Sequence, residues 1–221
     1  MVKQARAHIT REAIIRAAGT VFSKMTYSTA TLADVIGEAG VTQGALYFHF
    51  DSKRDLALEV IMRQHETSLR AGQALFATDT SGIEAMVMLS SELANQITTD
   101  PIVRGGLRLS TESADLFDEH ASRPYLDWIA ACEEFLRRAV DDGDIAVDSD
   151  VPVLARFVIS AFTGVQVVSL ATNGWTDLYE RLEQMWRIVL RAIVVPERLP
   201  EVERWAEMSR PVNRVETASD G

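Results

Sequence analysis

The chain has 221 residues, of which 47% are hydrophobic, and it carries a formal net charge of −10 and a single cysteine. This length can hold one small and one medium domain, each with its own core. One cysteine excludes an internal disulfide and a cysteine-rich metal site, and we expect Cys132 to be a small buried hydrophobe on a helix. Because no apolar run approaches a membrane span and no apolar stretch follows the basic N-terminus, we expect a cytoplasmic protein without a secretory signal.

The charge is unevenly distributed along the chain. The first 55 residues carry seven Lys or Arg against five Asp or Glu, which gives +2 and leaves −12 for the remainder. An acidic body behind a basic head would be repelled from DNA in all orientations but one. The N-terminal basic residues are therefore candidate phosphate ligands: Lys3, Arg6, Arg11, Arg16, Lys53 and Arg54.

The first helix is predicted from His8 to Lys24. Apolar residues recur there at helical spacing and predict one buried face: Ile14, Ile15, Ala18, Val21 and Phe22. We expect this face to pack against the segment that follows the turn at residues 27–29.

Residues 31–50, TLADVIGEAGVTQGALYFHF, predict two short helices with a tight turn between them. Thr31 and Asp34 form a capping box for the first helix, and Gly40 can adopt the left-handed conformation that ends it. Thr42 caps the second helix, which is about two turns long. We expect four apolar residues to dock this second helix on its neighbours: Val41, Ala45, Leu46 and Phe48. The pattern is typical of a helix-turn-helix.

The remaining face of the second helix is suited to a DNA groove. Small or hydrogen-bonding residues surround its N-terminus: Thr42, Gln43, Gly44, Tyr47 and His49. The free N–H groups can bind phosphate, and the amide of Gln43 can form a bidentate pair with adenine. The alternative is an ordinary tight helical turn in a core, which would have little use for an exposed Tyr-Phe-His-Phe run followed by Ser52, Lys53 and Arg54.

Residues 7–60 resemble the DNA-binding domain of the TetR family of transcriptional repressors, and GVTQGALYFHFDSKRDLA is the most recognisable segment. Within that family, VKQARAHITREAIIRAAGTVF and GALYFHF are similar to the γ-butyrolactone receptor group, which controls antibiotic production in actinomycetes by a form of quorum sensing. The resemblance implies an all-α fold, with a three-helix helix-turn-helix domain followed by a helical ligand-binding and dimerisation domain. The chain differs from that group at Gln43, where lysine is common.

Spacing, charge and resemblance together predict one set of DNA-binding residues: Lys3, Arg6, Arg11, Thr31, Thr42, Gln43, Gly44, Tyr47, His49 and Lys53. We place the DNA-binding domain at residues 1–55, the ligand-binding and dimerisation domain at 56–208, and a disordered tail at 209–221.

The second domain is predicted to be helical throughout. A capping box from Ser52 to Asp55 opens a long linker helix that ends near Phe76, and we expect His65 on it to be a partly solvated residue without a ligand role. Ser81 and Glu84 cap a helix that ends near Thr98. Residues 101–111 are predicted as a weak helix with a Gly105-Gly106 pair, 112–122 as a surface loop and 123–142 as a helix. Residues 151–172 are predicted as a helix buried nearly all round, 175–195 as an amphipathic helix and 200–208 as a short last helix.

Aromatic and small polar residues on otherwise apolar helices predict an effector pocket. Trp and Phe with a hydroxyl and an amide suit a small, mostly apolar molecule that bears a carbonyl. By resemblance, Trp128 matches a tryptophan of the lactone pocket, and Thr163 lies where a hydroxyl would meet the ligand. The candidate ligand-binding residues are Gln64, Tyr125, Trp128, Phe162, Thr163 and Gln166. The alternative is that aromatic residues at helical spacing form core.

The helices at 151–172 and 175–195 have more apolar surface than one domain can cover, so we expect a homodimer that pairs them as a four-helix bundle. Two recognition helices about one duplex turn apart, roughly 34 to 36 Å, would bind a palindromic operator. We expect the unliganded dimer to repress, and a lactone-type effector to release it by moving the linker helix.

Three alternatives remain open. One is a TetR-type repressor of another ligand, such as a drug or an acyl thioester, and another is a pseudo-receptor that does not bind lactones. An enzyme with a DNA-binding head is the third. The chain shows no metal-ligand spacing among its histidines, no Gly-rich phosphate loop and no grouped Ser, His and Asp, so we expect no enzyme, metal or cofactor.

Overall fold

The computed structural model describes residues 2–112, 117 and 119–211, and helices account for nearly all of the regular structure in them. The α-helices are α1 Val2–Lys24, α2 Leu32–Ala39, α3 Gln43–His49, α4 Lys53–Phe76, α5 Gly82–Thr99, α6 Pro101–Glu112, α7 Glu119–Asp141, α8 Val151–Asn173, α9 Leu178–Ile193 and α10 Val202–Glu207, and a 3₁₀ helix spans Pro196–Glu201. An isolated antiparallel bridge joins Ile145 to Val194. The prediction of an all-α fold is confirmed.

The chain forms two compact units. The first comprises Met1–Ala77 with Gln96–Ala131, and the second comprises Thr78–Asn95 with Cys132–Gly221. Each unit therefore contains part of α5 and part of α7. Helices α4 and α6 pack on α1 and belong to the same unit as the helix-turn-helix.

The core of the first unit is built on the predicted apolar face of α1, which is buried as expected. Helices α2, α3, α4 and α6 contribute buried residues to the same cluster, although α6 lies far from the others in the sequence. The main contributors are Ile14, Ile15 and Phe22 of α1, Val35 of α2, Leu46 of α3, Leu56, Val60 and Ile61 of α4, and Leu109 of α6. Burial of this apolar surface is what fixes the short helices α2 and α3, since isolated helices of their length are marginal in water.

Helix α6 is a complete helix, whereas the sequence predicted a weak one. The Gly105-Gly106 pair lies at the closest approach of α6 to its neighbours. A Cβ atom at Gly105 would be 2.5 Å from the carbonyl oxygen of Gly19 in α1, and one at Gly106 would be 2.6 Å from the Cβ atom of Gln64 in α4. The low helix propensity of the two glycines is thus offset by backbone contacts that any other residue would prevent.

The second unit has a core of large aromatic side chains. Trp186 and Trp205 are fully buried, and their indole N–H groups donate to Ser90 Oγ at 2.7 Å and Glu84 Oε1 at 3.2 Å. Cys132 is buried with its Sγ 3.8 Å from Met86 Sδ, and burial raises the pKa of its thiol to about 12. Cys132 is therefore a buried hydrophobe, as predicted, and its thiolate is strongly disfavoured.

Helix α8 is not buried all round, contrary to the prediction. Its buried stripe faces α9 in the second unit, and an apolar face remains exposed. The buried residues are Ala155, Val158, Phe162 and Ser169, and the large exposed ones are Val153, Phe157, Val167 and Val168. By length and composition alone α8 could also cross a membrane, which corrects the expectation that no segment is apolar enough.

Two irregular segments also differ from their predictions. The loop predicted at 112–122 is helical at both of its ends, since α6 includes Glu112 and α7 begins at Glu119; residues 113–116 and 118 lie outside the described residues. The predicted tail begins later than expected, because the Arg210 guanidinium donates to both carboxylate oxygens of Glu183. Residues 212–221 of that tail also lie outside the described residues.

Candidate DNA-binding and effector sites

The helix-turn-helix is fixed by the predicted caps. Thr31 Oγ1 accepts a hydrogen bond from the Asp34 N–H at 3.2 Å, and Asp34 Oδ2 accepts one from the Thr31 N–H at 2.8 Å. These hydrogen bonds also lower the pKa of Asp34. Gly40 ends α2 in the left-handed conformation, with φ 63°, and Thr42 Oγ1 accepts from the Ala45 N–H at 3.2 Å. The angle between α2 and α3 is therefore set by local hydrogen bonds before any partner binds.

The N-terminal face of α3 is open, as its predicted role requires. Gln43, Gly44 and Tyr47 are exposed, whereas Leu46 on the opposite side is fully buried. A Cβ atom at Gly44 would meet nothing within 4 Å, so no neighbouring residue covers this side of the backbone. His49, at the end of the helix, is half-buried.

Phe48 lies on this exposed surface, although the sequence predicted that it would dock α3. Its side chain is 77% exposed, and its ring stacks edge-on against His49 with 5.0 Å between centroids. Leu46 and Phe50 are both buried and lie one turn apart. A residue midway between them faces the opposite direction, since each residue advances 100° around the helix. This spacing alone could have identified Phe48 as a surface residue.

Two of the predicted phosphate ligands are engaged within the first unit. Lys53 Nζ donates to the carbonyl oxygens of Tyr27 at 2.8 Å and Ala30 at 3.0 Å, and it lies 4.4 Å from the Tyr27 ring centroid. The Arg11 guanidinium pairs with Glu59 at 2.8 Å. These contacts fix the start of α4 and the middle of α1. The side chains of Lys53 and Arg11 therefore stabilise the unit that contains α3.

The other basic candidates are better placed for phosphate. Arg6 and Arg16 of α1 and Arg54 of α4 are exposed. Lys3 lies in α1, and its side chain is outside the described residues. The exposed basic residues thus lie both before and after α2 and α3 along the chain.

An ion-pair network that the sequence did not reveal joins α1 to α4. Arg63 Nη1 lies 2.9 Å from Glu12 Oε2, and Arg63 Nη2 lies 3.3 Å from Glu59 Oε1. The hydrogen bond from Arg63 lowers the pKa of Glu12. Since Glu59 also binds Arg11, four charged residues hold these two helices together.

Gln64 is the most deeply buried of the polar candidates for effector binding, with 4% exposure. Its amide donates to Ser68 Oγ at 3.3 Å, and Ser68 in turn donates to Gln96 Oε1 at 3.0 Å. This chain of hydrogen bonds links α4 to α5 within the first unit. The amide N–H of Gln64 thus has a structural partner, which the sequence did not predict.

The remaining effector candidates divide between the two units. Tyr125 and Trp128 lie on α7 in the first unit, where both are half-buried. Burial raises the pKa of Tyr125, and a hydrogen bond with Thr111 partly opposes this effect. Phe162, Thr163 and Gln166 lie on α8 in the second unit; Phe162 is buried and the other two are half-buried.

His65 is more enclosed than the sequence suggested. Its side chain is 15% exposed, and its Nε2 lies 3.0 Å from Asp127 Oδ2 on α7. The second carboxylate oxygen of Asp127 lies 2.9 Å from Arg123 Nε. Burial disfavours the charged form of Asp127, but the hydrogen bonds from His65 and Arg123 outweigh it, so that the pKa of Asp127 lies below its usual value. Asp127 is therefore an anion at neutral pH.

Comparisons with known proteins agree with this architecture. Residues 14–60 match the family described as bacterial regulatory proteins, tetR family, and residues 80–196 match the tetracyclin repressor-like C-terminal domain. The A-factor receptor protein of Streptomyces griseus is 32% identical over 99% of this chain and 74% of its own length.

Among solved structures, a γ-butyrolactone receptor described as ArpA-like superposes with a TM-score of 0.79 at 32% identity, over 92% of this chain and 98% of its own. CprB of Streptomyces coelicolor, in complex with its operator, superposes with a TM-score of 0.76 at 31% identity, over 91% of this chain and 96% of its own.

Proposed function

The chain belongs to the TetR family of transcriptional regulators, and from that premise we propose that it is a repressor released from a palindromic operator by a γ-butyrolactone-like signalling molecule. TetR-family members are DNA-binding regulators and not enzymes. The observation that carries the proposal is the open N-terminal face of α3. The helix-turn-helix that presents this face is fixed by the caps at Thr31 on α2 and Thr42 on α3. Similarity over nearly the whole chain to the A-factor receptor supports the effector class.

On the operator, α3 would lie in the major groove. Gln43 and Tyr47 are exposed where base edges and phosphates would be, and Gly44 allows close approach of the backbone. Arg6 and Arg54 are exposed and would bind the phosphates on either side. CprB, which has been solved with its operator, has the same fold.

The exposed apolar face of α8 supports a homodimer. Phe157 and Val168 of α8 and Ile188 of α9 are 56%, 48% and 72% exposed in the single chain. A second copy that paired the same two helices would bury these residues in a four-helix bundle. This assignment also accounts for the apolarity of α8 without a membrane, and a cytoplasmic location follows from binding DNA.

The effector would act by shifting an equilibrium between two conformations of the dimer. Within the first unit, a lactone offers its apolar chain to the half-buried ring of Trp128 on α7. Release requires that the effector bind the dimer with displaced DNA-binding heads more tightly than the operator-bound dimer, since equal affinity would shift nothing. By resemblance to its relatives, we expect the controlled genes to include antibiotic biosynthesis.

A mobility-shift titration tests this function. The DNA would be the region upstream of the protein's own gene, and Gln43→Ala would serve as the matched variant with reduced base contacts. A band that wild-type protein shifts and that a γ-butyrolactone releases would support the proposal. A shift that only a drug or an acyl thioester releases would indicate another TetR-type repressor, and a shift that nothing releases would indicate a pseudo-receptor. Absence of any shift would contradict the operator assignment.

A further inference from the structure

Two buried polar atoms of the first unit are left without a partner by the fold. In the described part of the chain, four buried side-chain polar atoms lack a hydrogen bond. Two belong to Asp144, which is ion-paired with Arg198 at 2.7 Å. The others are His65 Nδ1 and Ser110 Oγ. A serine hydroxyl on a helix can turn toward a carbonyl of its own helix, whereas a ring nitrogen has no such choice. His65 Nδ1 is therefore the atom that most requires a partner from outside the chain.

The orientation and the tautomer of His65 are fixed from its other side. Asp127 is an anion that only accepts hydrogen bonds, so the proton of the His65 ring must lie on Nε2, 3.0 Å from the carboxylate. In the neutral ring Nδ1 is then an acceptor.

We infer that His65 binds the effector directly, by accepting a hydrogen bond at Nδ1 from a hydroxyl group of the effector. This inference rests on the proposed function and narrows its effector to a lactone that carries a hydroxyl group. Three candidate effector-binding residues lie close in sequence to His65 and its partner, which supports this inference. Gln64 precedes His65 on α4, and Tyr125 and Trp128 lie on either side of Asp127 on α7. A site that holds a buried acceptor for a hydroxyl discriminates strongly against an analogue without one.

The variant His65→Gln tests the inference. A glutamine amide reaches the position of Nε2 and can still donate to Asp127, but it places no acceptor at the position of Nδ1. Two γ-butyrolactones with the same alkyl chain, one with and one without a hydroxyl group, would be titrated against the operator complex. Wild-type protein should respond to the hydroxylated lactone at a concentration about tenfold or more below that for its deoxy analogue. In His65→Gln the two lactones should act at similar concentrations.

Ser110→Ala is the matched control, since it removes the other unpaired polar atom of the first unit. It should keep the wild-type preference for the hydroxylated lactone, and both variants should bind the operator with wild-type affinity without a ligand. An unchanged preference in His65→Gln, or its loss in Ser110→Ala alone, would overturn the role of His65.

Failure of the proposed function would appear differently, as a wild-type complex that neither lactone releases. His65 would then be judged with an organic extract of the source culture. A need for about ten times more extract in His65→Gln would support direct binding, and an equal response or no response from either protein would overturn it.

Discussion

The amide of Gln43 lies exposed in the first turn of α3, where a single side chain can select a base. Its neighbours differ in what they contribute. Thr42 uses its hydroxyl to cap the helix, and Phe48 presents an apolar ring that could contact a thymine methyl group. At the scale of the residue, the capping side chain Thr42 and the proposed base-contacting side chain Gln43 are adjacent in the chain.

Gln43→Lys is expected to change the base preference at one operator position from adenine to guanine. Glutamine pairs with adenine N6 and N7, whereas lysine favours the acceptors of guanine, and discrimination at one base pair is about 1–3 kcal/mol. A binding-site selection with both proteins would measure the change. Because residue 43 is exposed, thermal unfolding should be unaltered, and an unchanged preference would mean that Gln43 does not contact a base.

Trp128→Ala is expected to abolish the effector response and to leave operator binding intact. The side chain is half-buried on α7, far in sequence from α3, and its ring offers apolar contact area to a ligand. Operator release by a γ-butyrolactone would be compared with that of wild-type protein. Loss of DNA binding together with a lower melting temperature would show instead that Trp128 is part of the core.

At the scale of the element, α6 shows how packing overrides propensity. Its two glycines should weaken the helix, yet they bring its backbone onto α1 and α4. The Arg108 guanidinium adds a hydrogen bond of 3.0 Å to the carbonyl oxygen of Ser23 near the end of α1. Helix α6 therefore contacts α1 as well as α4, and a shift of α6 would disturb the packing of both helices.

Gly105→Ala is expected to destabilise the protein by about 1–3 kcal/mol, because the new methyl group would overlap the carbonyl oxygen of Gly19 and the helices would have to separate. Gly37→Ala on α2 is the matched control, since a Cβ atom there meets nothing within 4 Å. It should be neutral or stabilise by up to about 1 kcal/mol. Chemical denaturation would measure both, and equal effects would argue against the close α1–α6 contact.

At the scale of the whole molecule, the question is what covers the exposed apolar residues of α8 and α9. Contiguous apolar faces of this kind are rarely left open to water, and a symmetric dimer would cover this face with the same face of a second copy. The same dimer would provide the two recognition helices that a palindrome requires.

Phe157→Glu is expected to weaken the homodimer by about a hundredfold or more, since it removes an apolar contact and places a charge in the interface of both copies. Val147→Glu is the control, because Val147 is 89% exposed and lies between α7 and α8, outside the proposed bundle. Sedimentation equilibrium would give the dimer dissociation constants. A dimer unaffected by Phe157→Glu would mean that another surface forms the interface.

The sequence by itself determined the features that depend on neighbours in the chain. The caps at Thr31 and Thr42, the left-handed Gly40 and the apolar face of α1 all follow from spacing within a few residues, and each is present in the structure. Resemblance to known sequence motifs identified the TetR family. These features were predictable because their energies come from local hydrogen bonds and helical periodicity.

Only the tertiary structure decided how distant segments share their groups. Lys53 binds carbonyl oxygens 26 and 23 residues away, and His65 meets a carboxylate 62 residues away on α7. Gly105 matters because of the backbone of α1. No local pattern encodes such pairings, since they arise when burial of apolar surface brings the helices together, and the polar groups enclosed by that packing must then find partners.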